Sequence, residues 1–209
     1  MPAAGPRNSR RKERRSLNTE VLVTTAARIA DSEGIDALSL SRVAAALGVS
    51  QPAMYNHVHG LSDLLRRLAL LARQMLLERL RDATVGRARD DAVVSLADAW
   101  RSFAHEHPGL YAATDRHPLS GYEDLEAAVA AIISVLRHVV AGYGLGPVDA
   151  EHGAWSLRSA LHGFVVLESE QGHPDRLDLD ESFSRLVHLI CGGLREMRHP
   201  ASGLPLEGT

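Results

Sequence analysis

Residues 40–58 read LSRVAAALGVSQPAMYNHV and leave Gln51, Asn56 and His57 on one exposed face, with Tyr55 near its edge. Amide, imidazole and phenol groups hydrogen-bond to base edges and to phosphate oxygens. None of the four is acidic, which matters because a carboxylate there would be repelled by phosphate. Upstream lie Arg7, Arg10, Arg11, Lys12, Arg14 and Arg15. Each phosphate that such a cation neutralises adds a slope of about −0.9 to the log–log salt dependence of binding.

Other chemistries find less support. The chain has 11 histidines, but His105 and His107 are two apart and point to different faces of one helix, while His117 falls in a loop. There is no HExxH motif and no pair of Cys/His clusters, so neither a metal nor another cofactor is expected. A GxSxG motif, a phosphate-cradling glycine loop and a nucleophile with an evident base are all missing, so an enzyme is not expected. Cys191 is the only cysteine. It reads as a buried small hydrophobe and fits a reducing cytoplasm. No run of about 18 apolar residues suggests a membrane span. The basic N-terminus has no apolar core behind it and does not read as a secretory signal.

The elements that must position the polar face are all helical. Asn18 is a suitable N-cap for a helix over 19–33 that buries Leu22, Ala26 and Ile29 and stops at Gly34. Ser39 or Ser41 can cap a helix over 41–47, and Gly48 supplies a turn that favours a positive backbone dihedral. Ser50 can cap a third helix over 51–57, with Pro52 in its first turn. Val43, Leu47, Val49, Met54 and Val58 can bury between these helices, and Ala44 allows their close approach. After Gly60, a long helix from about 61 to 84 carries Leu64, Leu68, Leu71 and Met75. Further helices are expected over 91–106, around Leu110–Tyr111, and over 122–143, 148–169 and 180–197. Helical periodicity throughout, with no convincing run of strands, gives an all-α class.

Charge divides the chain. Residues 1–73 hold 11 Lys/Arg against 6 Asp/Glu, and the remainder holds 12 against 20, for an overall −3. A basic end on an acidic body is the asymmetry expected where one end meets nucleic acid. The expected organisation is a disordered basic arm (1–16), a helix-turn-helix DNA-binding domain (17–62), a helical ligand-binding and dimerisation domain (63–198) and a flexible tail (199–209). An Ala-xxx-Gly hairpin alone also fits a protein-interaction module, and a histidine-based helical enzyme is a second alternative. Neither accounts for the charge asymmetry and the arm.

Residues 19–72 resemble the DNA-binding domain of the TetR family of regulators. The likeness rests on AARIADSEGIDALSLSRVAAALGVS followed by QPAMYNHVHGLSDLL, and on Gly48-Val49-Ser50-Gln51-Pro52 with Tyr55 and His57-Val58. Trp155 and the pair His162-Gly163 resemble one subgroup of TetR-like ligand-binding domains. The resemblance implies a homodimer on a palindromic double-stranded operator, acting as a repressor that a small organic effector releases, with activation as the alternative output. By position it assigns Gln51, Ala53 and Asn56 to base edges, and Tyr55 and His57 to phosphates. Ser39, Ser41, Ser50 and the adjoining Pro52 fall at helix starts that face phosphate. The family usually has a lysine where this chain has Leu61, so one phosphate contact is expected to be missing. The arm residues Arg10, Arg11, Lys12, Arg14 and Arg15 are expected to compensate.

In the second half, the stripes of 148–169 and 180–197 can pair with those of a second copy, with Gly192-Gly193 allowing close approach. Trp155, Ser159, His162 and Val166 share one side of their helix by spacing. With Trp100, Phe103 and Tyr111 they are the candidate lining of an effector cavity.

Overall fold

The computed structural model describes residues 18–170 and 176–197. The basic arm and the C-terminal tail lie outside these residues. Among the described residues the chain forms α1 (Thr19–Glu33), α2 (Leu40–Leu47), α3 (Gln51–Met54), α4 (Leu61–Thr84), α5 (Arg89–Glu106), α6 (Pro108–Ala112), α7 (Glu123–Ala141), α8 (Pro147–Ser169) and α9 (Leu179–Met197), with 3-10 turns at Ile35–Ala37 and Ala113–Asp115. The described residues contain no strand. No described helix is long and apolar enough to cross a membrane.

The helix boundaries follow from local chemistry. The Asn18 side chain accepts the Val21 N–H at 2.8 Å, and Ser39 Oγ accepts the Arg42 N–H at 3.1 Å. Each satisfies one of the donors that a helix start leaves open. Gly48 adopts φ 67°, a left-handed conformation that ends α2 with the Val49 N–H bonded to the Ala44 carbonyl at 3.0 Å.

Leu22, Ala26, Val43, Ala44, Met54 and Val58 pack α1–α3 into one continuous core with Leu64 and Leu68 of α4. Each large apolar side chain buried this way contributes about 1.5–3 kcal/mol. The long α4 then packs between α5 and α7, and α8 closes against α5 and α7. Arg101 of α5 holds α8 and α9 together. Its guanidinium forks onto Glu168 at 2.6 and 3.1 Å, reaches Asp180 at 2.8 Å and lies 4.9 Å over the Phe183 ring.

Candidate nucleic-acid interface and effector cleft

The turn at Gly48 sets α3 across α2 and turns Gln51, Pro52, Tyr55 and Asn56 outward, all exposed, with Ala53 and His57 half-buried at the margin. Met54 and Val58, four apart and fully buried, anchor the segment from below. The structure therefore leaves Gln51, Tyr55 and Asn56 exposed, as expected from the sequence, whereas His57, expected on the same exposed face, is half-buried.

Two local expectations need correction. The helix expected over 51–57 stops at Met54, because the backbone tightens to i→i+3 bonds, Tyr55 N–H to the Pro52 carbonyl and His57 N–H to the Met54 carbonyl. Ser50 stands at the N-cap but makes no side-chain capping bond. Pro52 has no N–H to give it, and the Ala53 N–H bonds instead to the Ser50 backbone carbonyl at 3.0 Å. The Ser50 and Ser41 side chains are exposed, whereas Ser39 is half-buried and engaged in capping, with its hydroxyl 3.1 Å from that of Ser41. Leu61 is 39% exposed at the start of α4. The first turn of α4 is held by Asp63, which accepts the His59 N–H at 3.0 Å and pairs with Arg66 and Arg67. Burial pushes the Asp63 carboxyl up, but the His59 N–H and the two arginines outweigh it and hold it below its ordinary value. Arg10, Arg11, Lys12, Arg14 and Arg15 lie outside the described residues.

Between α4, α5, α7 and α8 lies a narrow cleft whose free volume is about 30 Å³, room for about one water, so an organic ligand enters only if the cleft widens. Leu76, Trp100, Val129 and Ile132 form its apolar wall, while Arg73, Tyr111, Thr114, Asp115, Arg158 and His162 supply its polar groups. The Trp100 indole N–H donates to the Tyr111 hydroxyl at 2.9 Å, and that hydroxyl lies 2.8 Å from His162 Nδ1. An indole N–H can only donate, so the Tyr111 hydrogen is free to bond His162 Nδ1. The matching tautomer carries its hydrogen on Nε2, which faces Asp115 at 3.5 Å. Burial pushes the Tyr111 phenol far above its ordinary value, against the pull of the Trp100 bond.

Of the expected lining residues, Trp100, Tyr111 and His162 line this cleft. Val166 lines a neighbouring hollow beside His105, Tyr111 and Val165. Phe103 is buried in the core against Tyr111 and His107 rather than in the cleft. Trp155 is 45% exposed and Ser159 is also exposed, so neither lines the cleft. The stripe Ala150, Ala154, Leu157, Leu161 and Val165 fixes the buried side of α8. Arg158 and His162 flank that stripe, and Trp155 and Ser159 lie beyond them. Arg73 and Arg158 were not legible as cleft residues, since arginine on an amphipathic helix ordinarily faces solvent. Among the described residues, no group of three His, Cys, Asp or Glu side chains could hold a metal ion.

The cleft connects to the helix-turn-helix through α6. Tyr111, Thr114 and Asp115 follow Gly109 and Leu110 within a few residues, and those two dock on α1. The Leu110 N–H donates to Asp31 at 2.7 Å, and His107 Nδ1 lies 3.0 Å from the other oxygen of that carboxylate. Gly109 approaches so closely that an added Cβ would sit 1.9 Å from the Ala30 carbonyl oxygen.

A helix-turn-helix with an acid-free exposed face, joined to a helical body with a polar–apolar cleft, defines a DNA-binding regulator. Residues 22–67 match the family model described as bacterial regulatory proteins, tetR family, and residues 93–190 match the tetracyclin repressor-like C-terminal domain. Over 179 residues the chain is 38% identical to the HTH-type transcriptional regulator Rv0681 of Mycobacterium tuberculosis, covering 85% of this chain and 82% of that one. It is 31% identical over 181 residues to the HTH-type transcriptional regulator YobS of Bacillus subtilis, covering 85% and 93%. Its fold is similar to that of a Rhodococcus sp. RHA1 protein of unknown function, with TM-score 0.70 and 26% identity over 85% of this chain and 95% of that one. The chain belongs to the TetR family of DNA-binding transcriptional regulators and is not an enzyme.

Proposed function

We propose that the chain works as a homodimeric repressor that a small organic ligand releases from a palindromic operator. The observation that carries this reading is the double engagement of α6 and the 3-10 turn after it. One end docks on α1 through Gly109 and Leu110, and the other supplies Tyr111, Thr114 and Asp115 to the cleft. A ligand that needs the cleft wider displaces the segment that seats α1. It shifts the equilibrium only to the extent that it binds the DNA-incompetent arrangement more tightly.

Dimerisation is supported by the outward sides of α8 and α9. They expose Trp155, Leu167 and Leu189, the last at 74%. Gly163, Gly192 and Gly193 have open space where a Cβ would stand, so a second copy can approach closely. Two copies related by a two-fold axis can present their α3 segments to successive major grooves about 34–36 Å apart. Gln51, Ala53 and Asn56 then read base edges, while Tyr55, His57 and the serines at helix starts meet phosphates.

Fluorescence anisotropy with the intergenic DNA beside the gene, against a scrambled control at two salt concentrations, tests the reading. Tight, salt-dependent preference for the native fragment is expected. Absence of binding to either DNA at low salt would return the chain to a protein-interaction role.

A further inference from the structure

Arg73 carries a charge into the interior and, among the described residues, forms no ion pair; Asp115 attracts it only from across the cleft. The residue is 7% exposed. Among the described residues its guanidinium meets only two backbone carbonyls, Ala69 at 3.0 Å and Thr114 at 2.9 Å. A guanidinium has five N–H donors and does not give up its proton in a protein. An unpaired buried charge is costly, so one that persists in a cleft points to a charge brought in from outside.

Arg158 faces the same cleft and has no ion pair among the described residues. Its guanidinium lies 5.2 Å over the Trp155 ring. Burial, reinforced by the like charge of Arg158, outweighs the attraction of Asp115 and holds Arg73 below the ordinary arginine value. Among the described residues Asp115 is the only carboxylate lining the cleft, and it is exposed and lies 3.5 Å from His162. The cleft is thus cationic inside the part of the chain that is otherwise acidic, with 12 Lys/Arg against 20 Asp/Glu after residue 73.

We infer that the effector is an organic anion, with a carboxylate or similar oxyanion held by Arg73 and Arg158 and an apolar body against Leu76, Trp100, Val129 and Ile132. The inference rests on the cleft being the effector site. A guanidinium matches a planar two-oxygen anion in a fork that an ammonium cannot reproduce. Two of the five Arg73 N–H donors are used by the Ala69 and Thr114 carbonyls, so an oxyanion on the remaining donors binds beside the turn that follows α6.

The test uses the full chain and two probes that share a ring system. 8-Anilinonaphthalene-1-sulfonate is an anion, and N-phenyl-1-naphthylamine lacks the sulfonate and is neutral. Fluorescence titration is expected to show the anion binding at least about tenfold more tightly. Arg158→Gln, at a half-exposed position, is expected to weaken the anion about tenfold and leave the neutral probe unchanged. Arg73→Lys keeps the charge but not the fork and is expected to retain only part of the preference, with thermal melting confirming that both variants fold. Equal binding of the two probes, or unaltered anion binding by Arg158→Gln, overturns the inference. Operator anisotropy separates it from the reading beneath it. Arginine-dependent anion binding that leaves the operator bound keeps the anion site and removes ligand release. Operator release by the neutral probe, without anion preference, does the reverse.

Discussion

Asp31, near the end of α1, accepts the backbone N–H of Leu110 in α6 at 2.7 Å across 79 positions of sequence. The second carboxylate oxygen meets His107. One side chain of the DNA-binding part thereby fixes the start of the helix that borders the cleft. Asp31→Ala leaves the Leu110 N–H without its partner, at a cost of about 1–3 kcal/mol. Asp31→Asn keeps one acceptor oxygen and is expected to lose less. Urea unfolding measures both, and operator affinity is expected to fall more in the alanine variant.

Gly109→Ala tests the same junction sterically. The new methyl group would overlap the Ala30 carbonyl and the Asp31 nitrogen, which are backbone atoms and yield little. Expected is a loss of about 1–3 kcal/mol in thermal or urea unfolding. A variant as stable as the parent would mean that α1 and α6 are less tightly seated than described.

Much of the architecture was legible because its signals are local. Asn18, Gly34 and Gly48 fix helix ends through capping or positive φ. The polar face of Gln51, Tyr55 and Asn56 was legible for the same reason, since one turn and one helix define it. The cleft was not. The stripe Leu64, Leu68, Leu71 and Met75 is compatible with 3.6-residue periodicity, and Leu64 and Leu68 are buried, yet further along α4 the buried side is Ala69, Ala72, Arg73, Leu76 and Leu80, with Leu71 and Met75 only half-buried. A period can be satisfied by adjacent stripes, and the packing partners choose between them. Asp31 and Gly109 derive their roles from contacts nearly 80 positions away, which no local pattern encodes.

Acid is expected to loosen the junction of α5, α8 and α9. Burial pushes the Glu168 carboxyl up, but Arg101 and His105 outweigh it and hold it below its ordinary value. A carboxyl with a depressed folded value contributes stability that is complete above the unfolded value and is lost as pH falls through the folded one. Stability should therefore decline across the acidic carboxylate range. Glu168→Gln should cost about 1–3 kcal/mol near neutral pH and flatten that decline. Chemical denaturation at a series of pH values checks both.

On the DNA side, the residues are expected to divide by role. Tyr55→Ala or His57→Ala should weaken binding to all sequences alike, through phosphates. Gln51→Ala or Asn56→Ala should relax preference at one base pair by about 1–3 kcal/mol. Competition with single-base operator variants makes the distinction. If Gln51→Ala keeps the full preference, its assignment to a base edge is wrong.

Removal of residues 1–15 should lower operator affinity and reduce the salt slope by about 0.9 for each phosphate released. The measurement is anisotropy over a range of salt concentrations. An unchanged slope would show that the arm does not replace the phosphate contact expected to be missing at Leu61.

The indole of Trp100 also makes the protein its own spectroscopic reporter. The chain has only two tryptophans. Trp100 is 3% exposed and hydrogen-bonded to Tyr111 at the cleft wall, while Trp155 is 45% exposed beneath the Arg158 guanidinium. Their emission should separate into a blue component from the dry site and a red one from the wet site. Trp155→Phe isolates the first as an optical readout of cleft occupancy. Trp100→Phe isolates the second, which senses whether the outer face of α8 is covered.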